Sequence, residues 1–139
     1  MHESRENYLE TIFILNKRNG KVRSIDIAKE LGFSKPSVSR AVGLLKSSGY
    51  LDVLDDGSII LNEVGLKKAQ SIYERHEVLT LFCVKILGLP HDIAEKDACK
   101  MEHIISDELF NAIKKFINFL YSSFSALYNA ISPRSPVLI

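Results

Sequence analysis

The segment Cys99-Lys100-Met101-Glu102-His103 brings a thiol, a carboxylate and an imidazole within five residues. On an α-helix, residues three and four apart share a face, so Cys99, Glu102 and His103 are expected to project to one side. These are three metal-donor types on one helical turn. They leave a site unfinished, because a transition ion takes about four to six donors. Two places could supply the rest: His76, inside Glu74-Arg75-His76-Glu77 of a long amphipathic segment, and the N-terminal segment, where Asn7 and Glu10 stand three apart. If these converge, metal binding ties the first helix to the middle of the chain and controls what lies between. The plain alternative is an inert thiol beside a solvated Glu-His pair, and a satisfied core histidine would explain His76 taken singly.

A second chemistry lies in the controlled part. From Lys17 to Lys46 eight basic residues (Lys17, Arg18, Lys21, Arg23, Lys29, Lys35, Arg40, Lys46) face two acidic ones, Asp26 and Glu30. This excess suits a polyanion, although a solvated basic face is the bland reading. Within it, Lys35, Pro36, Ser37, Ser39 and Arg40 open a helix. Arg40 can donate two hydrogen bonds to guanine, Ser37 and Ser39 can reach phosphates, and Pro36 can touch a thymine methyl. A helix of this kind can also serve in a protein-protein module; the exposed cations favour DNA.

The elements that must position these residues can be read in order. Leu9, Ile12, Phe13 and Leu15 predict a first helix over 6–16, stopped at Asn19-Gly20. Ser24 is expected to cap a short helix over 25–31, ended by Gly32, and Ser34 to cap another over 35–48, with Pro36 tolerated in its first turn. Two short helices joined by a Gly-containing turn read as a helix-turn-helix. The runs 50–54 and 58–61, parted by Asp55-Asp56-Gly57, predict a β-hairpin, which is the winged-helix order. Asn62 then caps a long helix predicted over 63–87, closed by Gly88 and Pro90. Another is expected over 91–105, holding the Cys99 cluster, and a further one from Ser106 through Phe119 or beyond.

The fold expected is mainly α: an N-terminal winged helix-turn-helix over 1–62, an all-helical metal-binding and dimerisation domain over 63–120, and a tail over 121–139. At 139 residues the chain can bury one real core or two small ones, and 46% hydrophobic with 25% charged residues is the composition of a folded globule. Glu3, Arg5 and Glu6 with no apolar stretch predict no signal peptide and a cytoplasmic protein. Two cysteines make no disulfide framework. From Phe116 to Pro133 no residue is charged, yet Asn118, Ser122, Ser123, Ser125, Asn129 and Ser132 are too polar for a membrane span. An uncharged amphipathic helix is a ready dimer surface, and Ser132 to Pro136 reads as a disordered end. The absence of a Gly-rich phosphate loop, and of a nucleophile with a base and oxyanion donors, argues against an enzyme.

Taken together, Tyr8-Leu9-Glu10-Thr11-Ile12, Ser34-Lys35-Pro36-Ser37-Val38-Ser39, Gly49-Tyr50-Leu51, Arg75-His76-Glu77 and the run Cys99 to Glu108 resemble the diphtheria toxin repressor family of metal-dependent regulators, which includes the manganese transport regulators. The resemblance extends from about Glu3 to Ile117 in unbroken order. It implies a homodimer whose winged helices bind a palindromic DNA operator when Fe(II) or Mn(II) is bound. By position it implies a regulatory site of Asn7, Cys99, Glu102 and His103, with Glu10 and His76 completing a second or shared site. This chain departs from the family in several places. Asn7 stands where the iron branch has methionine and the manganese branch aspartate, Cys99 follows the iron branch and Glu10 the manganese branch. Thr80 and Glu95 replace an acidic and a histidine ligand of the iron branch. The SH3-like domain of longer members is expected to be absent.

A set of thiolate, imidazole, carboxylate and amide donors suits Fe(II) or Zn(II) better than Mn(II). The implied mechanism is that metal, bridging helix one to the middle helices, sets two recognition helices about one DNA turn apart, roughly 34 Å. The rival expectation is a regulator of the same fold that ignores metal and responds to oxidation at Cys99.

Overall fold

In a computed structural model of the chain, residues 3–131 are described, with side chains over 5–126. Two compact units divide between Glu74 and Arg75.

The first unit contains α1 (Glu3–Asn19), α2 (Ser24–Leu31), α3 (Lys35–Ser47), strands β1 (Leu51–Val53) and β2 (Ile59–Leu61), and the first turns of α4 (Glu63–Leu81). Leu9, Ile12, Val22, Ile27, Val38, Leu45, Leu51 and Ile59 form its core, each with almost no exposed surface. Leu9 and Ile12 on α1, Ile27 on α2 and Val38 and Leu45 on α3 meet Val22 of the α1–α2 connection and the strand residues Leu51 and Ile59 in one apolar centre. The strands pair antiparallel, Leu51 opposite Leu61 and Val53 opposite Ile59, and the Ile59 N–H donates to Val22 O at 2.7 Å, fastening the hairpin to the α1–α2 connection. This is the expected winged helix-turn-helix.

Local chemistry sets the helix ends. Ser34 caps α3, its Oγ accepting from the Ser37 N–H at 3.3 Å, and Asn62 caps α4 by accepting from the Gly65 N–H at 2.9 Å. The start of α2 corrects the sequence reading. The cap residue is Arg23, in extended conformation, and its N–H donates to Asp26 Oδ2 at 2.9 Å, leaving Ser24 as the first helical residue. The acid at the third helical position satisfies the cap residue's own N–H, the reciprocal half of a capping box.

The second unit contains the end of α4, one π-helical turn (Phe82–Ile86), α5 (His91–Met101) and α6 (Asp107–Ile131). Leu79, Ala98, Ile113 and Ile117 form its small core, with Val78, Leu81, Phe82, Met101 and Ile105 packed around them. Two boundaries differ from expectation. The long helix loses α geometry after Leu81: the Leu87 N–H reaches back five residues to Phe82 O at 3.2 Å, and Gly88 at φ +71° ends the segment. The next helix stops at Met101 rather than Ile105. The N–H groups of Ile104 and Ile105 both donate to Met101 O at 3.1 Å, and Ser106 Oγ caps α6 through the Leu109 N–H at 3.1 Å. His103 therefore lies in the α5–α6 turn. None of the described helices is long and apolar enough to cross a membrane. The expectation for Ser132 to Pro136 concerns residues outside those described.

Candidate metal centre and nucleic-acid face

Helix α4 contributes His76, and α5 contributes Cys99 from its last turn and Glu102 from its C-cap. One donor atom from each of these three lies within 4.8 Å of the other two. Donors bound to one ion at about 2.0 to 2.3 Å fall within such a separation, so the three fit a single transition metal. Glu102 carries the strongest indication. Its side chain is fully buried, with Oε2 2.9 Å from His76 Nδ1 and Oε1 3.1 Å from His103 Nε2, the latter without the angular geometry of a hydrogen bond. A buried carboxylate is costly unless a cation or several donors meet it. A metal there would meet the lone pairs of Glu102 and His76, and Cys99, which reaches solvent, would offer a soft third donor.

The structure thus groups His76, Cys99 and Glu102, and sets the buried His103 side chain against the far oxygen of Glu102. Cys99 and Glu102 share a helix face as their spacing requires; His103 is drawn off it by the turn. Asn7 and Glu10 lie in the first unit, three apart on α1, half-buried and buried. Thr80, one turn after His76, is buried, and its Oγ1 makes no hydrogen bond among the described residues. Glu95 is exposed at the edge of the cluster, 4.0 Å from His76 Nε2 and 3.8 Å from His91 Nδ1.

Sequence reasoning missed the part played by Arg75. Its Nη1 donates to Ile105 O at 3.1 Å and Glu102 O at 3.5 Å, its Nη2 pairs with Asp107, and the guanidinium lies 5.0 Å above the Phe110 ring. One planar cation thereby holds both ends of the turn that presents Glu102 and His103. The only signal was a basic residue beside His76, which spacing alone reads as solvated.

In the first unit, α3 buries Val38, Val42 and Leu45 and turns Lys35, Pro36, Ser37, Ser39 and Arg40 to solvent. Ser34 Oγ donates to Ser37 Oγ at 2.9 Å while accepting from the Ser37 N–H. The Ser37 hydroxyl keeps its own hydrogen, available to a phosphate oxygen. At the wing tip Asp56 is ion-paired with Lys21. Hydrogen bonds from Lys21 and Ser58 hold its carboxyl below the usual carboxylate range.

Residues 1–58 match the N-terminal DNA-binding domain of iron-dependent repressors, and residues 62–123 match their metal-binding and dimerisation domain. An HTH-type transcriptional regulator of Methanocaldococcus jannaschii is 33% identical over 118 residues, 84% of this chain and 94% of that one. The transcriptional regulator MntR of Salmonella typhimurium is 34% identical over 111 residues, 80% of this chain and 70% of that one. A solved manganese-dependent transcriptional repressor in complex with manganese superposes with TM-score 0.76 at 28% identity, covering 83% of this chain. The chain spans about half the length of that solved relative, 53%.

Proposed function

The chain belongs to the iron-dependent repressor family, and from that premise we propose that it is a metal-dependent transcriptional regulator, not an enzyme, that binds operator DNA as a dimer. The observation that carries this reading is the cluster of His76, Cys99 and buried Glu102 in a chain whose α3 presents Lys35 and Arg40 to solvent. The donor set suits a divalent transition metal, Fe(II) or Mn(II) by relationship and Zn(II) by chemistry. By the resemblance, Asn7 and His103 belong to the regulatory site and Glu10 to a second or shared site. Lys35, Pro36, Ser37, Ser39 and Arg40 meet the duplex. The protein works in the cytoplasm, where its DNA is, and the apolar face of α6 pairs the protomers.

Each residue has a definite task. Cys99, Glu102 and His76 would hold the ion, which would set positive charge against the buried Glu102 carboxylate. Arg75 keeps the turn bearing Glu102 in place. Metal changes DNA affinity only by binding the DNA-competent arrangement more tightly than the alternatives.

Fluorescence anisotropy of upstream DNA, titrated with protein at fixed salt in chelator and then in Mn(II), Zn(II) or anaerobic Fe(II), tests the reading. Salt is held constant because phosphate contacts make affinity steeply dependent on ionic strength. Tightening by one metal at micromolar free concentration is expected. Equal tight binding in every condition would instead support regulation without metal, with oxidation of Cys99 the next signal to examine.

A further inference from the structure

The middle of α3 holds a residue that the fold does not explain. Gly43 lies in the third turn of a 13-residue helix, with ordinary helical backbone, and a Cβ built on it meets no atom within 4 Å. Neither backbone conformation nor packing calls for glycine there, and glycine weakens a helix interior relative to alanine. Its position supplies the reason. Arg40 precedes it by three residues and Ser47 follows by four, so all three lie on one face, opposite buried Val38, Val42 and Leu45. Beside the gap stands Leu44, 44% exposed. The Ser47 hydroxyl turns back onto Gly43 O at 2.9 Å and Leu44 O at 3.2 Å, which removes a competing polar tip from the same surface.

Building on the DNA-binding reading, we infer that Gly43 and Leu44 form a second base-reading step: the missing side chain of Gly43 lets α3 sit deeper in the major groove, and Leu44 then packs on the C5-methyl of a thymine. A bare backbone allows close approach where any Cβ would stand off, and the thymine methyl is the one apolar feature of the major-groove edges. This step lies beyond the N-terminal residues of α3 and reads a different base pair from Arg40.

The test begins by selecting a duplex from random-sequence DNA with the full-length protein and Mn(II) at fixed salt. Each thymine of the selected duplex is then replaced singly by uracil, which removes only the methyl. For the parent protein, at least one replacement is expected to weaken binding about fourfold, the worth of one buried methyl-sized group. Leu44→Ala should bind the thymine and uracil duplexes equally at that position. Gly43→Ala should raise Tm by about 2 to 5 °C through helix propensity, yet bind the selected duplex at least tenfold more weakly. A Gly43→Ala protein that binds as tightly as the parent, or the same uracil sensitivities in Leu44→Ala and parent, would overturn the inference while leaving the regulator reading standing. A parent that selects no sequence would overturn both.

Discussion

Glu102 is the residue on which the proposed metal centre turns, because it is the one fully buried carboxylate among the three grouped donors. Glu102→Gln keeps its shape and removes its charge. Metal affinity, measured by competition with a chromogenic chelator, should fall at least about 100-fold, beyond the range found when only a supporting residue is lost. Arg75 is such a supporting residue. Its side chain is 15% exposed and it holds the carbonyls of Glu102 and Ile105 together with Asp107. Arg75→Ala should cost about 1 to 3 kcal/mol in urea unfolding and weaken metal binding about 10- to 100-fold, with Arg75→Lys recovering part of the stability but not the forked contact. Metal affinity unchanged in Arg75→Ala would show that the turn holds its shape without the guanidinium.

At the scale of elements, two glycines of the first unit make opposite predictions. A Cβ at Gly65 would collide with the carbonyl of Tyr50, the residue before β1, and backbone cannot yield as a side chain can. Gly65→Ala should destabilise by about 1 to 3 kcal/mol in denaturant unfolding, whereas Gly43→Ala, in open space, should stabilise. The wing gives a pH prediction. Asp56 has its folded-state pKa lowered, chiefly by the Lys21 hydrogen bond and then by Ser58, so its contribution is present above the unfolded value of about 3.9 and is lost as pH falls through the folded value. Asp56→Asn should therefore flatten the decline of Tm with falling pH below about pH 4, without changing its course at neutral pH. A decline of the same steepness in variant and parent would assign acid loss to other carboxylates.

At the scale of the whole molecule, the prominent surface is α6. Phe116, Tyr121, Phe119 and Phe124 leave between 46% and 67% of their area exposed, and no charge interrupts the helix after Lys115. So much aromatic surface on one helix is what a partner subunit would cover. Phe119→Glu should shift sedimentation from dimer to monomer with the helical circular dichroism unchanged, and operator affinity should fall because a single half-site remains. A variant that stays dimeric would move the interface off α6.

The sequence by itself determined the winged helix-turn-helix, because each of its devices is local. Apolar spacing marked α1 to α3, Ser34 and Asn62 supplied caps, and Asp55-Asp56-Gly57 forced a hairpin. It also determined which residues could ligate metal, since donor chemistry belongs to the side chain. Only the tertiary structure decided where helices end when the deciding partner is remote in sequence. Arg75 reaches some thirty residues ahead to hold the α5–α6 turn, so His103 leaves the helix on which spacing alone had placed it. The same is true of His76: its approach to Glu102, 26 residues away, depends on how α4 and α5 pack, and periodicity along one helix carries no information about the neighbour it will meet.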